Sequence, residues 1–292
     1  MHLLSIDSLS DEAIAALLSR AASFAADPSA GRGLLAGRTI FNCFYENSTR
    51  TAMSFAKAAA RLGAQAITLS VEHSSVKKGE TLADTARTLG AMGPDALVLR
   101  HRENGAAAEV AELAGCAVVN AGDGTNEHPT QALLDALTLT QQFGSLHGRS
   151  ICILGDIRHS RVARSNARLL PRLGATVRLA GPPSLVPGSA GRLSVDEAIE
   201  GADAVMTLRV QRERMEEDLG DAPGEYLARY GLTAERLARA SAGAVVLHPG
   251  PMNRGVEIAD EVADHPARSM ILRQVANGVA MRMAVLELVI AS

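Results

Sequence analysis

Phe41-Asn-Cys-Phe-Tyr-Glu-Asn-Ser-Thr-Arg-Thr-Ala-Met-Ser-Phe55 is the stretch on which the reading of the whole chain turns. The residues leading through its start, Arg38-Thr-Ile-Phe-Asn-Cys-Phe-Tyr45, form a short apolar run with β-branched and aromatic side chains, the pattern of a buried strand. Residues 52–62 are rich in Ala, Met, Phe and Lys and stop at Gly63, which predicts a helix closed by a glycine cap. Between the two lies Glu46-Asn-Ser-Thr-Arg-Thr51. Ser48 and Thr49 are N-cap types, so backbone N–H groups and hydroxyls converge at a helix start. That end carries partial positive charge, Arg50 adds a full one, and a phosphate suits the place. For these few residues alone, an ordinary cap beside a surface arginine is the better reading. The rest of the chain decides.

Working outward, apolar runs alternate with helical patterns. Toward the amino end, Ser10 caps a predicted helix to residue 26, with Ile14, Leu17 and Leu18 on one face. Strands are predicted at 65–71, 96–100 and 116–120, and helices at 80–92 and 105–114. After a helix at 130–143 a second series begins, with strands at 150–154, 175–180, 204–208 and 244–247. Its helices fall at 162–173, 195–199 and 234–240, and a long amphipathic helix closes the chain at 268–290. Such alternation predicts an α/β fold of two similar domains, each a parallel sheet with helices on both faces, bridged by long helices. The expected domains are 1–131, completed by the C-terminal helix 270–292, and 132–269.

Composition narrows the function classes. The chain has 292 residues, long enough for two cores, and a net charge of −3, without the basic excess of a nucleic-acid-binding surface. Although 47% of the residues are apolar, no run reads as long as a membrane span. Met1-His-Leu-Leu-Ser-Ile-Asp7 lacks the basic start and long apolar core of a signal peptide. Cys43, Cys116 and Cys152 are scattered in apolar runs with neither a CxxC pair nor zinc-ligand spacing, so they read as reduced core residues. The expectation is a cytoplasmic protein with no membrane or nucleic-acid partner.

The loops after the predicted strands carry the chemistry. In the first half they are Ser48-Thr-Arg-Thr51, Arg100-His101 and Asn126-Glu-His-Pro-Thr-Gln131. In the second they are Gly155-Asp-Ile-Arg-His-Ser-Arg161, Arg209-Val-Gln211 and His248-Pro-Gly-Pro-Met252. Each holds an Arg or His in a chain of slightly negative charge, which suits substrates with several negative charges.

Taken in order, these motifs resemble those of the aspartate carbamoyltransferases, catalytic chains of the aspartate/ornithine carbamoyltransferase superfamily. The likeness runs from Phe41 to Asn277-Gly-Val-Ala280 and includes Val76-Lys-Lys-Gly-Glu-Thr81 and Asp123-Gly-Thr-Asn-Glu-His-Pro-Thr-Gln131. His248-Pro-Gly-Pro251 and Arg209-Val-Gln211 favour the aspartate over the ornithine branch, which is similar elsewhere. The resemblance implies transfer of the carbamoyl group of carbamoyl phosphate to L-aspartate in pyrimidine biosynthesis. It makes the first domain the carbamoyl phosphate-binding one and the second the aspartate-binding one.

The resemblance also implies roles. Ser48, Thr49, Arg50 and Thr51 would hold the phosphate, and Arg100 would reach the phosphate and the carbonyl oxygen. His128 would donate to that oxygen as its charge grows. Gln131 and the backbone carbonyl of Pro249 would hold the carbamoyl NH₂, and Gly250 would belong to the same carbamoyl phosphate site. Arg161, Arg209 and Gln211 would bind the two carboxylates of aspartate, with Lys78 also on the aspartate side. Ser74 and Lys78 would complete the site of a neighbouring subunit, which makes the expected assembly a homotrimer with shared sites. A regulatory chain or a dihydroorotase is a further possible partner. No metal or organic cofactor is called for, since phosphate neutralised by Arg50, Arg100 and Lys78 is a good leaving group, and closure of the domains over the substrates is expected.

By themselves several of these residues have plainer readings. His128 could be a structural histidine before a helix-starting proline, His101 reads as structural, and Arg161 and Arg209 each sit among other charged residues. Two rival functions fare worse. A dinucleotide-binding dehydrogenase would need more glycines at the required spacing after Gly155. An inactive assembly subunit would be expected to lose some of Arg50, Lys78, Arg100, His128 and Arg209, and all are present. Ornithine or another amino-acid acceptor is the nearest alternative.

Overall fold

The computed structural model describes residues 1–70, 79–188, 193–210 and 224–291. The chain divides into two compact units, Met1–Leu137 with Val275–Ser292, and Thr138–Gln274.

The first unit contains α1 (Asp11–Ala26), β1 (Thr39–Phe44), α2 (Thr49–Leu62), β2 (Gln65–Ser70), α3 (Leu82–Ala91), β3 (Ala96–His101), α4 (Ala106–Leu113) and β4 (Ala117–Asp123). Its four strands are parallel in the order β2-β1-β3-β4. The chain steps one way from β1 to β2 and then back past β1 to β3. Right-handed crossovers therefore put α2 on one face and α3 and α4 on the other. Gly90 lets α3 press against the end of α4, because a Cβ there would stand 2.2 Å from the Ala114 carbonyl oxygen. Leu97, Leu99, Val110 and Val118 fill the core beneath these helices, with Cys43 from β1. Each buried side chain of this size contributes roughly 1.5–3 kcal/mol.

Capping explains the helix ends. Ser10 accepts from the Ala13 N–H, and α1 buries Ile14, Leu17, Ala21 and Phe24, with Leu18 turned partly aside. Gly63 closes α2 at φ 82°, where its N–H reaches the carbonyls of Ala59 and Ala60. α2 starts at Thr49, three residues earlier than the sequence pattern predicts, so Arg50 and Thr51 stand on its first turn.

α5 (Pro129–Phe143) carries the chain into the second unit. There follow β5 (Ser150–Leu154), α6 (Arg161–Arg172), β6 (Thr176–Ala180), a 3-10 turn at Pro183–Leu185, α7 (Val195–Ile199) and β7 (Ala204–Thr207). After them come α8 (Glu225–Tyr230), α9 (Ala234–Arg239), β8 (Val245–Leu247), α10 (Asp260–Ala263) and α11 (Ile271–Ala291). The parallel order β6-β5-β7-β8 repeats the winding of the first unit. Ser194 and Glu197 form a capping box at the start of α7. Arg236 of α9 pairs with Asp196 of α7 at 2.9 Å, over a core that includes Cys152, Val205, Leu232, Val246 and Ile258.

Each unit has its own brace of the same kind at the amino ends of its strands. Arg38 pairs with Asp95 at 2.8 Å, and the other oxygen of Asp95 accepts the Thr39 N–H at 2.8 Å. Arg149 and Asp203 pair at 2.9 Å, and Asp203 accepts the Ser150 N–H at 2.8 Å.

α11 corrects two expectations. By length and composition alone it could cross a membrane, contrary to the sequence reading, but most of it is buried inside the protein. It is also not amphipathic throughout, because residues 280–286 are buried without a break. Arg282 lies among them, its guanidinium 5.1 Å from the centroid of the Phe55 ring and bonded to the Gly278 carbonyl at 3.1 Å. Burial lowers its pKa to about 10, against an opposing pull from Asp135.

Candidate active site

In each sheet the chain reverses its direction of travel at one gap, between β1 and β3 and between β5 and β7. Loops leaving the carboxyl ends of such strands part to either side and open a crevice, where α/β sheets bind ligands. Among the described residues, those singled out from the sequence lie at or beyond those strand ends, or beyond the neighbouring β4 and β8.

In the first unit, β1 delivers residues 45–51 to the start of α2. Ser48 occupies the N-cap position but makes no side-chain bond to the helix backbone; its hydroxyl donates to Thr51 Oγ1 at 3.0 Å. Capping the first-turn amides is thus left to some group other than the Ser48 hydroxyl, and an anion can take that place. Thr51 is buried, Ser48 half-buried, and Thr49 and Arg50 exposed. Arg100, near the end of β3, donates to the Ala121 carbonyl at 3.3 Å and lies 3.6 Å from Glu46. Glu46 is a residue the sequence did not flag. Only the return of β3 beside β1 brings the two charges together.

His101 is held apart from this chemistry. Its ring meets Tyr45 edge-on at 4.8 Å, its Nδ1 accepts the Glu103 N–H at 3.1 Å, and burial pushes its pKa below the usual value.

The loop after β4 is built around the buried carboxylate of Asp123. It accepts from the Gly105 N–H at 2.7 Å, Asn120 Nδ2 at 2.8 Å, Asn126 Nδ2 at 3.0 Å and the Glu127 N–H at 3.1 Å. Glu127 in turn accepts the Ile6 N–H at 2.9 Å. These bonds fix His128, buried immediately before α5. Gln131, in the first turn of α5, donates its amide nitrogen to Asp135 at 2.8 Å. Its Oε1 is thereby the atom left to accept from a ligand N–H.

In the second unit, Asp156 is buried and accepts the backbone N–H of His159 at 3.1 Å, with the His159 ring nitrogen at 3.0 Å. Ser160 caps α6, and Arg161 is its first residue. Arg158 and Arg164 are exposed while Arg161 is buried, which singles it out among the three. Gly155 has φ +119°, and a Cβ there would stand 3.1 Å from the Leu208 carbonyl, so β5 and β7 end in close contact. Arg209 follows, half-buried. Beyond β8 lie half-buried Pro249 and Gly250, before a cis Gly250–Pro251 bond. Ser74, Lys78 and Gln211 lie outside the described residues.

Among the described residues there is no cluster of His, Cys, Asp and Glu arranged to hold a metal ion. The cysteines are unpaired, and burial pushes the thiols of Cys43 and Cys152 up to about 12, so neither is a ready nucleophile.

Known proteins resemble this chain in sequence and fold. Residues 1–141 match the aspartate/ornithine carbamoyltransferase carbamoyl-P binding domain, and residues 147–289 match the Asp/Orn binding domain. The aspartate carbamoyltransferase catalytic subunit of Granulibacter bethesdensis is 55% identical over 98% of this chain and 93% of its own length. That of Rhodospirillum rubrum is 52% identical over 98% and 92%. Among solved structures, aspartate transcarbamoylase from Trypanosoma cruzi in complex with carbamoyl phosphate superposes with a TM-score of 0.87 at 34% identity, covering 98% of this chain and 95% of that one. Ornithine carbamoyltransferase from Pyrococcus furiosus superposes with a TM-score of 0.88 at 28% identity, covering 100% and 97%. Matched in both halves and at this level of identity, the chain belongs to the aspartate/ornithine carbamoyltransferase family.

Proposed function

We propose that this protein transfers the carbamoyl group of carbamoyl phosphate to the amine of L-aspartate, giving N-carbamoyl-L-aspartate and phosphate for pyrimidine biosynthesis in the cytoplasm. The observation that carries the acceptor is the near-full-length identity of 52–55% to relatives named aspartate carbamoyltransferase catalytic subunits. The first unit takes carbamoyl phosphate: Ser48, Thr49, Arg50 and Thr51 bind its phosphate at the start of α2, and Arg100 exchanges Glu46 for the ligand. The second takes aspartate, with Arg161, Arg209 and Gln211 on its carboxylates.

The amine attacks the carbamoyl carbon, and charge builds on the carbonyl oxygen, where His128 and Arg100 donate. Gln131 Oε1 and the Pro249 carbonyl hold the NH₂. The carbon–oxygen bond to phosphate then breaks, and phosphate departs with the proton lost by the amine. Orientation and charge stabilisation account for the acceleration, without a dedicated protein base.

Ser74 and Lys78 act in the site of a neighbouring subunit of a homotrimer. Mixing Arg50→Ala and Lys78→Ala chains should then restore part of the activity that each lacks, and no recovery would refute shared sites. A regulatory chain or a dihydroorotase is a candidate additional partner, to be sought by co-purification. The function is tested by following phosphate release from carbamoyl phosphate with L-aspartate or L-ornithine. Aspartate-dependent release is expected; turnover with ornithine alone would overturn the acceptor.

A further inference from the structure

We propose that His248 and Glu257 are positioning residues that aim the Pro249 carbonyl at the substrate. The inference rests on the carbamoyltransferase reading, which places that carbonyl on the carbamoyl NH₂. Both side chains are buried, 2% exposed each, and lie at the carboxyl end of β8 and in the segment that follows it. Glu257 had no role in the sequence reading.

The backbone N–H of Gly250 donates to His248 Nδ1 at 2.8 Å. An amide N–H can only donate, so Nδ1 is the unprotonated ring nitrogen and the ring proton sits on Nε2. Nε2 lies 3.1 Å from Glu257 Oε1, so this N–H donates to the carboxylate. The same oxygen accepts the backbone N–H of Asn253. His248 is anchored from behind as well, its own N–H donating to Gln274 Oε1 at 2.9 Å. Glu257 therefore selects the tautomer, and the tautomer makes Nδ1 an acceptor.

Peptide planarity carries the effect to the substrate. The Pro249 C=O and the Gly250 N–H belong to one flat trans amide and point in opposite directions. Holding that N–H against the imidazole turns the Pro249 oxygen away from it. Pro249 and Pro251 have no N–H, so Gly250 supplies the one amide donor of residues 249–251, and it is engaged by His248. A donor at the Nδ1 position would repel this N–H and release the amide plane.

The test compares His248→Asn with His248→Gln in the full-length protein. An asparagine oxygen lies where Nδ1 lies and can accept the Gly250 N–H, as in an Asx turn. A glutamine amide reaches toward Glu257 instead and offers Gly250 no acceptor at that position. His248→Asn should keep kcat/KM for carbamoyl phosphate within a few-fold of wild type, whereas His248→Gln should lose about ten- to a hundredfold, the effect of one misdirected hydrogen bond. The inhibition constant of inorganic phosphate, which has no NH₂ to offer Pro249, should stay unchanged in both; general damage to the site would move it. Glu257→Ala should behave like His248→Gln. Equal losses in Asn and Gln variants, no loss in either, or a parallel loss of phosphate binding would overturn the inference. An inactive wild type would overturn the function itself, and the inference with it.

Discussion

At the amino ends of their strands the two units are nearly interchangeable. Gly37-Arg-Thr-Ile40 in one corresponds to Gly148-Arg-Ser-Ile151 in the other, and the arginines pair with Asp95 and Asp203 at almost equal distances. At the carboxyl ends they part company. The first unit presents a helix start, an arginine held against Glu46 and a loop gathered on Asp123, an arrangement that suits a phosphate beside a carbonyl. The second presents Arg161 and Arg209, planar forks that suit carboxylates. Even so, the two strands run alike from brace to candidate ligand, five positions on in Asp95-Ala-Leu-Val-Leu-Arg100 and six in Asp203-Ala-Val-Met-Thr-Leu-Arg209. One end of the sheet carries the fold and the other the chemistry, so substitutions at the two ends should have separable effects.

The largest effect is expected at the functional end of the first unit. Arg50→Ala should lower kcat about a hundred- to a thousandfold, as removal of a charge-stabilising donor does, with an unchanged thermal melt. Near-normal turnover would remove Arg50 from the site. Next comes the second unit, where Arg209→Ala should raise the KM for aspartate about ten- to a hundredfold and leave phosphate inhibition alone. A change in phosphate inhibition instead would mean that the two ends are not divided by substrate as proposed.

The braces should show the opposite profile. Asp95→Ala and Asp203→Ala should each cost about 1–2 kcal/mol, mostly from the lost bond to backbone, since the paired arginines are half exposed. Neither should alter KM, and a cost in one unit alone would break the equivalence. The smallest effect concerns Arg254 of the second unit, whose two terminal nitrogens donate to both oxygens of Asp264 at 2.7 Å and to Asp260 at 3.0 Å. Its bonds to Asp264 hold that carboxyl below the usual range. The clamp is therefore in force above the ordinary carboxylate pKa and is lost as pH falls through the lowered one. Asp264→Asn should flatten the acid limb of the pH–stability curve and barely change the melt near neutrality; identical acid limbs would show that the clamp contributes nothing.

The alternation of elements was legible because strands buried on both faces of a parallel sheet read as unbroken apolar runs, and β3 is buried from Ala96 to Leu99. Helices of four to six residues carry little periodicity: α7 and α9 were read from the sequence, whereas α8 and α10 were missed. The start of α2 was placed late because Ser48 and Thr49 look like caps, while Thr49 is already helical and the Ser48 hydroxyl turns to Thr51. The uninterrupted burial of residues 280–286 depends on tertiary packing, which composition does not report. Arg50, Arg100, His128 and Arg209 could be nominated from motifs. Glu46, Asp123 and Glu257 could not, because what they do is set by partners that meet them only in the folded chain.

The passages between the units have a consequence for recombination among relatives. Both boundaries, Leu137 to Thr138 and Gln274 to Val275, fall inside helices, α5 and α11. At 3.6 residues per turn, one residue gained or lost at such a junction rotates the rest of the helix by about 100°. A crossover that trades one acceptor-binding half for another must therefore preserve helical phase at two splice points. Length variation in this lineage should gather in the surface loops and spare those two helices.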